Sequence, residues 1–223
     1  MFCGRHLLAA KLRPSDIDAS AGSVEELARI VKDIRTRWPH VRILLRADSG
    51  LAREALMAWC EENRVDYVFG LARNVRLAAM IEAELAAARA TAETTGQAAR
   101  RFKDFDWSTR DSWSRERRVI AKAEWTQGEA NPRFIVTSLK RAAAGAHHLY
   151  EDIYCARGDM ENRIKECQLD LYADRTSAAT LRANQLRLHF ASMAYVLICA
   201  LRRIGWPKPS SPTPPVVPSA SSS

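Results

Sequence analysis

Two carboxylates stand where chemistry could be built. Asp48 closes the apolar run Val41-Arg42-Ile43-Leu44-Leu45-Arg46-Ala47 and is followed by Ser49 and Gly50. Sites in α/β sheets form at the carboxyl ends of strands, and a small-residue turn leaves such a carboxylate accessible. Aspartate is also a favoured helix cap, so an Asp48 that merely caps the next turn is the plainer reading. Glu161 belongs to a set, Tyr154, Arg157, Glu161, Lys165 and Gln168. Its offsets of three, four, four and three place all five on one face of a helix. Glu161 then has a cation one turn before it and another one turn after. Two exposed ion pairs worth roughly 0.2–0.5 kcal/mol each account for that pattern, and spacing alone favours them. The chemical reading is a metal-binding carboxylate flanked by phosphate-holding cations.

A third cluster is basic and aromatic. Arg100, Arg101, Lys103, Arg110, Arg115, Arg117 and Arg118 interleave with Phe102, Phe105, Trp107 and Trp113. Cations with aromatic rings suit phosphate contact plus base stacking. Asp104, Asp106, Asp111 and Glu116 dilute the charge, and aromatic residues on strands usually pack in a core, so contact and packing stay open together. His147 and His148 are adjacent, point in different directions on a helix and have no partner at ligand spacing, which argues against a metal there. Cys3, Cys60, Cys155, Cys167 and Cys199 form no Cys-x-x-Cys pair and read as reduced, buried small hydrophobes. No glycine-rich phosphate loop or Ser-His-Asp constellation stands out.

The elements that must position these residues follow from the patterning. Residues 6–12 read as a buried strand closed by Arg13-Pro14. Ser23 and Glu26 have capping-box spacing, and Leu27, Ile30, Val31 and Ile34 follow on one helical face. Strands are expected over 41–47 and 65–69, with a helix around Leu56, Met57, Trp59 and Cys60 between them. Residues 71–90 read as one alanine-rich helix ended by Thr94-Thr95-Gly96. Runs 101–107, 118–125 and 133–139 read as three antiparallel strands. A helical pattern covers 142–171, a last helix covers 177–203, and a Pro/Ser-rich stretch from 206 reads as a disordered tail. Strand–helix–strand alternation is the grammar of an α/β domain.

The chain has 223 residues, of which 47% are hydrophobic and 27% charged, so a largely disordered or collagen-like chain is excluded. Its formal net charge of +8 favours a polyanionic partner, either nucleic acid or an anionic surface. The first residues lack a charged segment followed by an apolar one, which reads against secretion. Residues 188–201 are the most apolar stretch, shorter than the roughly 20 residues that span a bilayer, so they read as a buried core helix.

Tyr154-Cys155-Ala156-Arg157-Gly158-Asp159-Met160-Glu161 fits the Y-(2)-R-(3)-E part of a signature seen in insertion-sequence transposases. Together with Leu44-Leu45-Arg46-Ala47-Asp48-Ser49-Gly50 and Glu161-Asn162-Arg163-Ile164-Lys165-Glu166, the chain resembles transposase DDE domain group 1 from Phe2 to about Arg203. The resemblance implies an RNase H-like α/β core with a β-rich insertion between the second and third catalytic acids. It makes Asp48 the second acid and Glu161 the third, both ligands of a two-metal Mg2+ site for in-line displacement at phosphorus. Tyr154 and Arg157 would then contact DNA near the cut, with Lys165 standing in for the signature's closing lysine, which is Gln168 here. In the insertion, Arg101, Lys103, Trp107 and Trp113 would add DNA contacts.

The resemblance also implies a first acid on a strand well upstream of Asp48. Only residues 6–12 precede the first helix, so the chain is expected to begin near the third strand, as an N-terminally truncated and inactive piece. Asp16 and Asp18 lie in a turn and do not replace that acid. The expected divisions are a partial core over 1–98, the insertion over 99–140, core helices over 141–204 and the tail over 205–223. The implied partner is double-stranded DNA, at element ends and target, with a homodimer in a synaptic complex and a bacterial cytoplasmic setting. The rival readings are a non-catalytic DNA-binding remnant that inhibits transposition, and a pseudogene product.

Overall fold

The computed structural model describes residues 1–126 and 128–205; the side chains of Arg157 and Asp159 and the expected tail lie outside the described residues. Two compact units result, one of Arg13–Asn162 and one joining Met1–Leu12 to the segment from Arg163 onward.

The larger unit is built on a six-stranded mixed sheet. Helix α1 (Ser23–Arg37) is followed by β3 (Leu44–Ala47), α2 (Glu54–Glu62) and β4 (Asp66–Leu71). Short α3 (Val75–Ala79) and α4 (Glu82–Thr95) lead into β5 (Ala99–Trp107), β6 (Arg117–Thr126), β7 (Glu129–Ala130) and β8 (Arg133–Thr137). The order is β3-β4-β8-β6-β5, with β7 paired to β6. Strands β3 and β4 are parallel, in the register Ala47 to Phe69, and every other pair is antiparallel. The three expected strands therefore do pair with one another, and they continue the sheet of β3 and β4 through the β4–β8 ladder.

Alternation along the strands gives the sheet two covered faces. On one, Tyr67 and Arg117 meet Glu61 of α2, and Lys103 reaches Met80 and Glu84 beside α4. On the other, Val68, Ile120 and Ile135 pack with Leu139, Leu149 and Tyr150 as one core cluster. That second face is covered by the opening turns of a helical run of unusual make-up. It opens as α5 (Ala146–His148), widens into a π-helical turn over Leu149–Tyr154, tightens to 3-10 over Cys155–Arg157, and continues as α6 (Gly158–Leu171).

Several local expectations are corrected. Ser23 does not cap α1: Gly22 is the cap residue, at φ 72°, and the buried Ser23 hydroxyl has no hydrogen-bond partner among the described residues. Glu26 is taken instead by Arg29. The stretch 71–90 is not one helix, because Leu71 pairs with Phe134 in the sheet and Asn74 starts a new helix by accepting from Leu77 N at 2.9 Å. Alanine content raises helix propensity but cannot report a strand partner distant in sequence. Gly96, at φ 67°, ends α4 as expected. The helical run of 142–171 starts at Ala146, and its π and 3-10 turns break the regular spacing assumed between Tyr154 and Glu161.

The smaller unit corrects the first and last elements. Residues 6–12 are not a buried strand; β1 (Phe2–Cys3) and β2 (His6–Leu7) form a two-stranded hairpin turned at Gly4, φ 57°. Beyond it, Leu12 N donates to Gln185 Oε1 at 2.7 Å and Gln185 Nε2 donates to Ala10 O at 3.2 Å, so side-chain clamping takes the place of sheet pairing. The last helix, α7 (Leu181–Gly205), is not a buried core helix. Tyr195 is buried against Phe2, but Leu186, Phe190, Met193, Leu197, Leu201 and Ile204 are exposed. It is long and apolar enough to cross a membrane by length and composition alone, a test that core helices of soluble proteins also pass.

Candidate active site

Asp48 sits just beyond the carboxyl end of β3 and is exposed. Its Oδ1 accepts from Gly50 N at 3.0 Å and so caps a 3-10 turn, Ser49–Leu51. The capping reading of Asp48 is thus part of its structure, and it fixes where the carboxylate stands. Arg53 reaches back over this turn to Ser49 O at 3.5 Å and holds Asp18 at 3.1 Å. Hydrogen bonds from the Ser20 hydroxyl and amide, then from Arg53, pull the Asp18 carboxyl down to about 2. Asp18 is a turn-forming carboxylate, as its place after Pro14 implied.

Two contacts bring the signature helix to the carboxyl ends of the parallel strands. Arg46, two residues before Asp48, donates from Nη1 to Ile153 O at 2.9 Å. Tyr154 lies against Gly70 of β4: a Cβ built on Gly70 would stand 2.6 Å from the Tyr154 hydroxyl, 3.0 Å from Ser49 N and 3.3 Å from the Asp48 carbonyl carbon. Within the helix the Tyr150 and Tyr154 rings meet at a tilt of 51° with centroids 5.7 Å apart, and Tyr150 is anchored in the core. A π turn widens the helix at this point, as such turns often do at functional sites. Glu161 follows on α6 and is exposed; the backbone of Arg157 lies in the 3-10 turn. Lys165 is exposed one turn beyond Glu161 and falls in the smaller unit.

The basic and aromatic cluster divides. Trp107 and Trp113 are buried, packed edge to face at 5.2 Å, with the guanidinium of Arg76 over the first and that of Arg117 over the second. Their rings are occupied inside the fold, which leaves no open face for a base to stack on. Lys103 is tied to Met80 O and Glu84, while Arg101 is exposed and held by Thr91 at 3.2 Å. Arg117 is a core cation, bound to Glu54 at 2.6 Å and Glu61 at 2.8 Å. Arg118 is held by Asp104 at 2.7 Å and donates to the carbonyls of Leu139 and Ala144, pinning the loop that leads into α5.

Sequence reasoning missed Arg46, Arg53 and Gly70 as the residues that position Asp48. Only Gly70 left a signal, since glycine inside an apolar strand marks a close approach by another group.

The model of the family described as Transposase DDE domain group 1 matches residues 1–213. The chain belongs to that family. It is a DDE transposase of the insertion-sequence kind, from a family of DNA-cutting and DNA-joining enzymes. DNA is the family's substrate, divalent metal its general cofactor, and its members are generally cytosolic. No curated protein matches the chain. The mixed sheet of this transposase domain, flanked by helices, is consistent with that membership. Among the described residues, however, no group of three or more His, Cys, Asp or Glu side chains is placed to hold a metal ion.

Proposed function

We propose that this chain is the DNA-handling part of a DDE transposase, with Asp48 and Glu161 as the second and third acids of its site. The observation that carries the reading is the seat of Tyr154 against Gly70 and the Asp48–Ser49 backbone. It brings the element bearing the Tyr-Arg-Glu signature to the strand end bearing Asp48. Strands β3 and β4 with their helices are then a partial RNase H-like core within 1–98. Residues 99–140 are the insertion that extends its sheet, and 141–204 supply the core helices. Tyr154, Arg157 and Lys165 are assigned to contact with the DNA backbone near the cut, and Arg101 to a phosphate contact from the insertion.

The donor set does not fit a two-metal centre, since two carboxylates supply too little charge and too few oxygens for a pair of hard cations. The chain alone therefore binds DNA and does not cut it, which also accommodates a non-catalytic role on the same element. Strand β3 is an edge strand of the sheet, paired among the described strands to β4 alone. A homodimer on paired ends belongs to the same reading.

Two measurements test it. Binding of a DNA duplex should weaken steeply as salt rises, with no strand cutting when magnesium is added. Weak Mn2+ binding, followed by electron spin resonance, should be lost in Asp48→Asn and in Glu161→Gln. Magnesium-dependent cutting would overturn the inactivity, and equal Mn2+ binding in parent and variants would overturn the assignment of the two acids.

A further inference from the structure

The opposite end of β3 and β4 carries a second basic feature. A cleft of about 700 Å³ opens there, lined among others by Arg35, His40, Arg42, Arg64, Arg115 and Asp66. It sits where the two strands begin, at the backbone bond from Asp66 N to Ile43 O. Strand β3 is four residues long, so this end lies roughly 15 Å from Asp48 at about 3.3 Å per residue.

Its cations differ in what already occupies them. Arg35 is spent on the carbonyls of Asn63 and Arg64, at 2.7 and 2.9 Å. Arg115 holds Glu61 at 2.7 Å but is more than half exposed, and Glu61 is also bound by the buried Arg117. Arg42 is 83% exposed and only loosely engaged with Asp66, at 3.4 Å. Among the described residues the structure gives the Arg64 guanidinium no hydrogen bond or ion pair.

Arg64 is also in the wrong conformation for its type. It follows the end of α2 at φ 54°, with Val65 N donating back to Cys60 O at 2.8 Å. That left-handed closing position is one that glycine fills at no steric cost. Here it holds an arginine that lines the cleft. Four arginines against two carboxylates, Glu61 and Asp66, leave the cleft with an excess of positive charge suited to phosphate oxyanions.

We propose that this cleft binds backbone phosphates of duplex DNA several base steps away from the reacting phosphate. It is a second DNA contact, remote from Asp48, with Arg64 and Arg42 as its principal donors. The separation of roughly 15 Å corresponds to four or five base-pair steps at about 3.4 Å each. The inference rests on the reading of the chain as a DNA-binding transposase domain. The shared chemistry is a phosphate oxyanion, and a small polyphosphate is the competing source.

The test uses the full chain, a DNA duplex and inorganic pyrophosphate. Arg64→Gly relieves the left-handed strain, so its urea-unfolding midpoint should equal or exceed the parent's. Its plot of log K against log salt for the duplex should be shallower by about 1, and that of Arg64→Gly with Arg42→Gln by about 2. Unchanged slopes in a folded variant would overturn the cleft while leaving the wider DNA reading intact. Pyrophosphate heats that vanish in Arg64→Gly with no change in DNA slope would likewise overturn it, in favour of a small anion. A parent chain that fails to bind the duplex at low salt would remove both readings together.

Discussion

Gly70 leaves no room for a side chain, and the atoms that crowd it belong to the candidate site. Gly70→Ala sets a methyl carbon 2.6 Å from the Tyr154 hydroxyl, which can move, and 3.0 Å from Ser49 N, which is backbone and moves less easily. Overpacking of this kind costs about 1–3 kcal/mol. Tyr154→Phe removes the nearest of the three crowding atoms and should recover part of that loss. Urea unfolding of the two single variants and the double should therefore show a coupling of about 0.5–3 kcal/mol. Strict additivity would mean that Tyr154 is not seated where the structure has it.

Helix α2 is fastened to the sheet by charges that sequence patterning would place at the surface. Arg117 bridges Glu54 and Glu61 with a side chain only 2% exposed, and Tyr67 donates to Glu61 at 2.8 Å. The Arg117 hydrogen bond leads in holding the Glu54 carboxyl below its usual value. For Glu61, burial works to raise the carboxyl, but hydrogen bonds from Arg117, Tyr67 and Arg115 outweigh it and the net shift is downward. Groups depressed in the folded state contribute stability that is present above their unfolded values and lost as pH falls through the folded ones. The unfolding midpoint should accordingly hold near neutrality and begin to fall below about pH 4.3, the ordinary glutamate value. Arg117→Met leaves Glu54 without its cation and Glu61 with only the more exposed Arg115, at a cost of about 3–5 kcal/mol, and should flatten that acid limb. Chemical denaturation across pH in parent and variant checks both points.

Across the whole molecule, the two compact units are held together internally in different ways. The larger has a two-faced sheet with a continuous core. The smaller gathers residues 1–12 onto α7 largely by Gln185, which accepts from Leu12 N and donates to Ala10 O, helped by Phe2 against Tyr195. Gln185→Leu removes both hydrogen bonds and leaves the Leu12 amide and Ala10 carbonyl without them. Limited proteolysis read by mass spectrometry should then release an N-terminal peptide ending near residue 12 well before it does from the parent. Equal cleavage rates would show that the hairpin is held by its apolar contacts alone.

The motifs, the parallel strand pair and the antiparallel character of the three later strands were all legible in the linear chain. Each rests on local periodicity or on residue types at fixed spacing, as in the apolar run before Asp48 and the Tyr-Arg-Glu spacing that runs into α6. What tertiary structure decided depends on partners distant in sequence. Leu71 became strand because Phe134 pairs with it, and residues 8–12 stayed out of any sheet because Met1 takes the backbone groups of Leu8 and Ala9 while Gln185 takes the Ala10 carbonyl and the Leu12 amide. Trp107, Trp113 and Arg117 turned inward because Arg76, Glu54 and Glu61 meet them there. Composition marks such residues as equally fit for DNA or for a core, and only the position of the opposing side chain chooses between the two. The same holds for α7, whose apolar stripe was plain in the sequence: apolarity states that a face gains by being covered, but burial requires another element to supply the cover.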